Sequence, residues 1–114
     1  MLGMPQKSDL LPGTLDCLVL AILSREPLHG YAIAQRIQQD SGDILKAEEG
    51  SLYPALQRLL IDGLVSAEWM TSATNRRVRV YKLTATGRKH LKNEMHRVSR
   101  AMDGISRIMR LCES

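Results

Sequence analysis

The chain has 114 residues, 44% hydrophobic and 25% charged, with a formal net charge of +4 when the histidines are neutral. That is the balance of one small globular domain, and it excludes a wholly disordered chain. No apolar run approaches the roughly 18–20 residues that span a bilayer. The residues before Asp9 lack the apolar stretch of a secretory signal, so a cytoplasmic protein with no membrane partner is expected.

Residues 1–10 read as an irregular N-terminal arm. Leu11-Pro12-Gly13 is a turn signal, after which Thr14 can cap a helix whose first turn carries Asp16. Leu15, Leu18, Val19, Ile22 and Leu23 give that helix one apolar stripe, and Pro27 ends it near Arg25. A second helix is predicted from about Gly30 to Asp40, with Tyr31, Ala34 and Ile37 on one face. Ser41-Gly42 closes it.

A third helix follows with Ser51 as its N-cap and Pro54 in its first turn, where a missing N–H costs nothing. Leu52, Ala55, Leu56, Leu59 and Leu60 form its buried face, and Gly63 stops it. Val65 and Trp69 mark a strand from Leu64 to Met70, and Thr71 to Asn75 is a polar loop. Arg77 to Leu83 alternates as a second strand, with Arg77, Arg79, Tyr81 and Leu83 on one face. Trp69 reads as a core aromatic, and Tyr31 and Tyr53 fit either the core or the surface. Thr84 caps a last helix from Ala85 to about Leu111. Along it Leu91, Met95, Val98, Met102, Ile105, Met109 and Cys112 are spaced by alternating steps of four and three. Held over three heptads, that repeat reads as a seam between paired helices. The predicted fold is mostly α with a two-stranded β-wing: a winged helix-turn-helix domain over 11–84, and a C-terminal dimerisation helix over 85–114.

The charge is localised. Residues 1–84 hold nine basic and nine acidic side chains, and residues 85–114 hold seven basic and three acidic. Arg76, Arg77, Arg79 and Lys82 form a wholly basic cluster on the predicted wing. Localised positive charge suits a polyanion, although a solvated face would look the same. In a helix-turn-helix the reading helix enters the major groove by its N-terminal end. The third helix offers Ser51, Tyr53 and Pro54 there, with Gln57 and Arg58 one turn on. Arg58 is its one basic residue and Glu48 and Glu49 precede it, so the wing and last helix must supply most of the attraction. Arg76, Arg77 and Arg79 suit phosphates or a narrow minor groove.

Catalytic chemistry is not legible. Cys17 and Cys112 have no metal-ligand spacing, and His29, His90 and His96 are scattered over separate elements. Free thiols, no metal and no cofactor are expected. No nucleophile motif or phosphate loop is present. An interaction module, its wing and seam binding a protein, stays open as the alternative to DNA binding.

The ordered motifs resemble the PadR family of bacterial regulators over about residues 9–90. These are Leu11-Pro12-Gly13-Thr14-Leu15-Asp16, Pro27-Leu28-His29-Gly30-Tyr31, and Glu49-Gly50-Ser51-Leu52-Tyr53-Pro54-Ala55-Leu56 with Arg58-Leu59 and Gly63-Leu64. Asn75-Arg76-Arg77, Tyr81-Lys82-Leu83-Thr84 and Gly87 follow. The resemblance implies a homodimer joined through the last helix, binding an inverted repeat in a promoter, usually as a repressor, and released by a small-molecule effector. Carried over by position, the contacts to double-stranded DNA would be Ser51, Tyr53, Pro54, Arg76, Arg77 and Arg79.

Overall fold

In the computed structural model, which describes residues 13–113, the chain runs α1 (Leu15–Leu23), β1 (Leu28–His29), α2 (Gly30–Asp40), α3 (Glu49–Ile61), β2 (Val65–Thr71), β3 (Arg77–Leu83) and α4 (Ala85–Glu113). The arm read over residues 1–10 and the Leu11-Pro12 part of the turn lie outside the described residues. The core forms where the apolar faces of the first three helices meet. Val19 and Leu20 of α1, Ile33 of α2, and Leu52, Leu56 and Leu59 of α3 are almost wholly buried. Each such side chain contributes about 1.5–3 kcal/mol relative to exposure.

Several boundaries differ from the sequence reading. α1 ends at Leu23, two residues early, because the Ser24 hydroxyl donates to the Ala21 carbonyl at 2.6 Å and competes with the next helical bond. α3 begins at Glu49, so Ser51 is not its cap. The Glu48 carbonyl accepts from the Leu52 N–H at 2.8 Å, starting the helix three residues earlier. Glu48 and Glu49 thus flank the positive end of the helix dipole, which favours the longer helix. Pro54 therefore lies beyond the first turn, where its missing N–H leaves the Gly50 carbonyl without the usual helical donor.

The wing is a hairpin with an added strand. β2 pairs antiparallel with β3 in the register Val65–Leu83, Ala67–Tyr81, Trp69–Arg79 and Thr71–Arg77. β1 pairs with β3 on its other side through Leu28–Tyr81 and His29–Val80, giving three strands in the order β1-β3-β2. The expected two-stranded wing is corrected by this short strand. Two residues are too few to show alternation, and only their pairing defines them. Period-two alternation puts Val65, Ala67, Trp69, Arg77, Arg79, Tyr81 and Leu83 on the inner face of the sheet. Val65, Tyr81 and Leu83 are buried there.

The joint between wing and α4 is held by Thr84. Its hydroxyl accepts from the Gly87 N–H at 2.9 Å, an N-cap bond, and contacts the Gly63 and Leu64 carbonyls at 2.8 and 3.0 Å. Gly87 is pressed so closely on Leu64 that an added Cβ would land on the Leu64 carbonyl oxygen. The first half of α4 then packs on α1 through Leu91, which is buried, and Val98, which is partly buried. Arg97 reaches across to the Gly13 carbonyl at 3.0 Å while bonded to Glu94. That bond holds the Glu94 carboxyl below its usual range. Beneath this contact Cys17 is buried, and burial pushes its thiol pKa up, with the Glu94 charge adding to the shift.

Two expectations follow. Thr84→Val should cost about 1–2 kcal/mol through the lost cap, and Gly87→Ala about 1–3 kcal/mol through overpacking on rigid backbone, both read from urea denaturation. Cys17 should react with a thiol reagent at pH 8 far more slowly in the native chain than in the unfolded chain. Equal rates would contradict its burial.

Candidate nucleic-acid interface

α3 presents its non-core face to solvent. Ser51, Tyr53, Pro54, Gln57 and Arg58 are all exposed, as the spacing of Leu52, Ala55, Leu56 and Leu59 on the buried face requires. Tyr53 is 46% exposed, and its ring leans back over the start of α2. A Cβ built on Gly30 would lie 2.8 Å from the Tyr53 hydroxyl oxygen and 2.9 Å from Cε1. The absent side chain at Gly30 is thus the seat of the Tyr53 ring.

The wing flanks the same seat. Arg77, Arg79, Trp69 and Tyr81 line one open cleft of about 340 Å³ together with His29, Gly30, Tyr31 and Tyr53. α3 and the wing therefore share one side of the domain. Arg76 stands at the tip, its N–H donating to the Ser72 hydroxyl, while Asn75 takes a left-handed φ of 64° to close the turn. Among the described residues, none of the ion pairs takes Arg76, Arg77 or Arg79.

Two candidates are placed differently from the rest. Arg58 is exposed but donates to the Asp16 carboxylate of α1 at 2.8 Å, so its guanidinium is directed toward α1. The heptad residues divide. Leu91 and Val98 pack on the domain's own core. Met95, Met102, Ile105 and Met109 are exposed, and every described residue from 99 onward lies open to solvent.

Sequence reasoning missed three contributors. Trp69, read as a core aromatic, is 58% exposed, and Tyr31 is 63% exposed. Both line the cleft, as does His29. The available signal was the alternation of β3: Trp69 pairs with Arg79, and cross-strand partners share a face. Among the described residues no group of three or more His, Cys, Asp or Glu could hold a metal ion, and no helix is long and apolar enough to cross a membrane.

The model of the PadR-like family of transcriptional regulators matches residues 19–93. Over 77 residues the chain is 26% identical to the negative transcriptional regulator PadR of Bacillus subtilis, which covers 68% of this chain and 42% of that protein. A crystal structure of a PadR family transcriptional regulator from Eggerthella lenta is 32% identical with a TM-score of 0.69, covering 85% of this chain and 82% of that one. Bacillus subtilis PadR in complex with operator DNA superposes with a TM-score of 0.66 at 24% identity, a likeness of fold, over 73% of this chain and 47% of that one. With a family match over more than half of its length, the chain belongs to the PadR-like family of transcriptional regulators, which are not enzymes.

Proposed function

We propose that the chain is a DNA-binding repressor that works as a homodimer on an inverted-repeat operator. The observation that carries this reading is the shared cleft, lined by Tyr53 of α3 together with Arg77 and Arg79 of the wing. Ser51, Tyr53 and Pro54 would approach base edges from the start of α3, with Gln57 one turn on. Arg76, Arg77 and Arg79 would take phosphates on either side of the groove. Arg58 would join them only by leaving Asp16. A related protein has been solved with operator DNA, which supports the same use of this fold here.

The stripe of α4 that the domain leaves uncovered is the proposed dimer seam. Met95, Met102, Ile105 and Met109 expose apolar surface at a spacing of seven, three and four residues. A second copy of the chain would cover that stripe, and twofold pairing would match the two halves of an inverted repeat. A small-molecule effector lodged among the seam methionines, which repack readily, would change the separation of the two readers and release DNA.

Binding to duplex DNA should weaken steeply with salt, because phosphate neutralisation releases counterions. Each of Arg76→Ala, Arg77→Ala and Arg79→Ala should lower the salt slope by about one contact per subunit. An unchanged slope for all three would remove the wing from the interface. No binding to random duplex at low salt would favour a protein-interaction module instead.

Light scattering should give twice the 12.8 kDa chain mass. Met102→Glu should shift the protein toward monomer and weaken DNA binding with it. A wild-type chain that is monomeric at micromolar concentration would defeat the seam.

A further inference from the structure

We infer that Trp69 is a positioning residue of the wing, whose ring holds the Arg77 guanidinium where it meets a DNA phosphate. This deepens the DNA reading above and rests on it. The guanidinium carbon of Arg77 lies 5.0 Å from the centroid of the Trp69 ring. In the hairpin register Trp69 faces Arg79 and Thr71 faces Arg77, so the contact is a diagonal across the two strands. Diagonal neighbours on one face are within reach of aromatic and long side chains.

Core packing does not account for this tryptophan. It is mostly exposed and stands outside the cluster of buried residues that includes Tyr81 and Leu83. Arg77 takes no ion pair among the described residues. A carboxylate partner would fix an arginine but also cancel its charge. An aromatic face restrains the guanidinium and leaves the charge for an incoming anion. The chain length that lets Arg77 reach a phosphate carries rotamer entropy, and the stack removes part of that entropy before DNA arrives.

The same device recurs one step along the strand. The Arg79 guanidinium carbon lies 5.8 Å from the ring centroid of Tyr81, which is buried in the core. Both stacks line the one cleft beside Tyr53. On the outer face of the hairpin Glu68 and Lys82 line a separate groove with Pro27 and Met70. There Glu68 faces Val80 and Lys82 faces Ser66, and no arginine lines the groove.

The test uses the full chain and a random-sequence duplex of about 30 bp, long enough for two half-sites one turn apart. Trp69→Ala should weaken binding roughly two- to fivefold per wing, the scale of an exposed cation–π contact. Trp69→Phe should retain most of the affinity. In the Arg77→Ala background Trp69→Ala should add almost nothing, because its only route is through Arg77. Thermal melting of the Trp69 variants should match wild type, since the ring is exposed.

A second readout comes from the protein alone. Trp69 is the sole tryptophan, so intrinsic emission reports its surroundings directly. Arg77→Ala should change that emission in the absence of DNA, and Arg76→Ala should not. The inference is overturned if Trp69→Ala binds as tightly as wild type, or if it weakens the Arg77→Ala variant as much as it weakens the wild-type chain. It also fails if the emission ignores Arg77. A wild-type chain that binds no duplex at low salt overturns the DNA reading, and this inference with it.

Discussion

Tyr53 rests where a side chain at position 30 would otherwise stand, and the arrangement of the candidate interface depends on that contact. The clearance is small, with the Tyr53 hydroxyl only 2.8 Å from the place a Cβ would occupy. Because Gly30 opens α2 directly after β1, and β1 pairs with β3, the reader helix is brought up against the wing through one residue and one strand pair. Beneath it the core is wholly apolar, with no buried polar side-chain atom lacking a partner among the described residues. The scaffold therefore needs no polar network to be specified. Its charges are left for the surface, where exposed ion pairs such as Arg25–Asp40 and Arg36–Glu26 contribute little stability.

The proposed interface separates shape from charge. The first turns of α3 carry small or flat groups in Ser51 and Pro54, but Glu48 caps the helix, Glu49 opens it and its arginine is bonded to Asp16. Long-range attraction cannot come from that helix. On the proposed reading it would come from the wing, whose arginines take no ion pairs among the described residues, and from α4, whose first turns expose Arg88, Lys89 and Lys92. If α3 is the reader, its small charge would leave it held less by non-specific phosphate attraction than by fit, which suits discrimination between sequences.

Much of this was legible in the sequence because two periodicities carry it. The leucines at 52, 56 and 59 and the alternation of Arg77, Arg79 and Tyr81 fixed which side of each element faces inward. What escaped has physical reasons. β1 is a strand only through its partner, and a two-residue segment has no pattern to read. Ser51 is a favoured cap type, but the Glu48 carbonyl takes the Leu52 N–H, and the two acids at the positive end of the dipole carry the helix back to Glu49. Trp69 was taken for the core because tryptophan is usually well buried, whereas its neighbours across the hairpin, arginine rather than leucine, hold it at the surface. Leu91 and Met102 lie on one heptad stripe, yet the domain's own packing takes the first, and only the second lies open to solvent. Spacing alone cannot separate those two uses of one stripe.

On the proposed reading the start of α3 and the inner face of the wing meet DNA together. Amide chemical-shift mapping on titration with short duplex DNA tests it most directly. The largest shifts are expected at Ser51, Tyr53, Arg76, Arg77 and Arg79, with small ones at Ser66, Glu68 and Lys82 on the outer face. Shifts confined to that outer face, or to the wing with α3 unmoved, would contradict it.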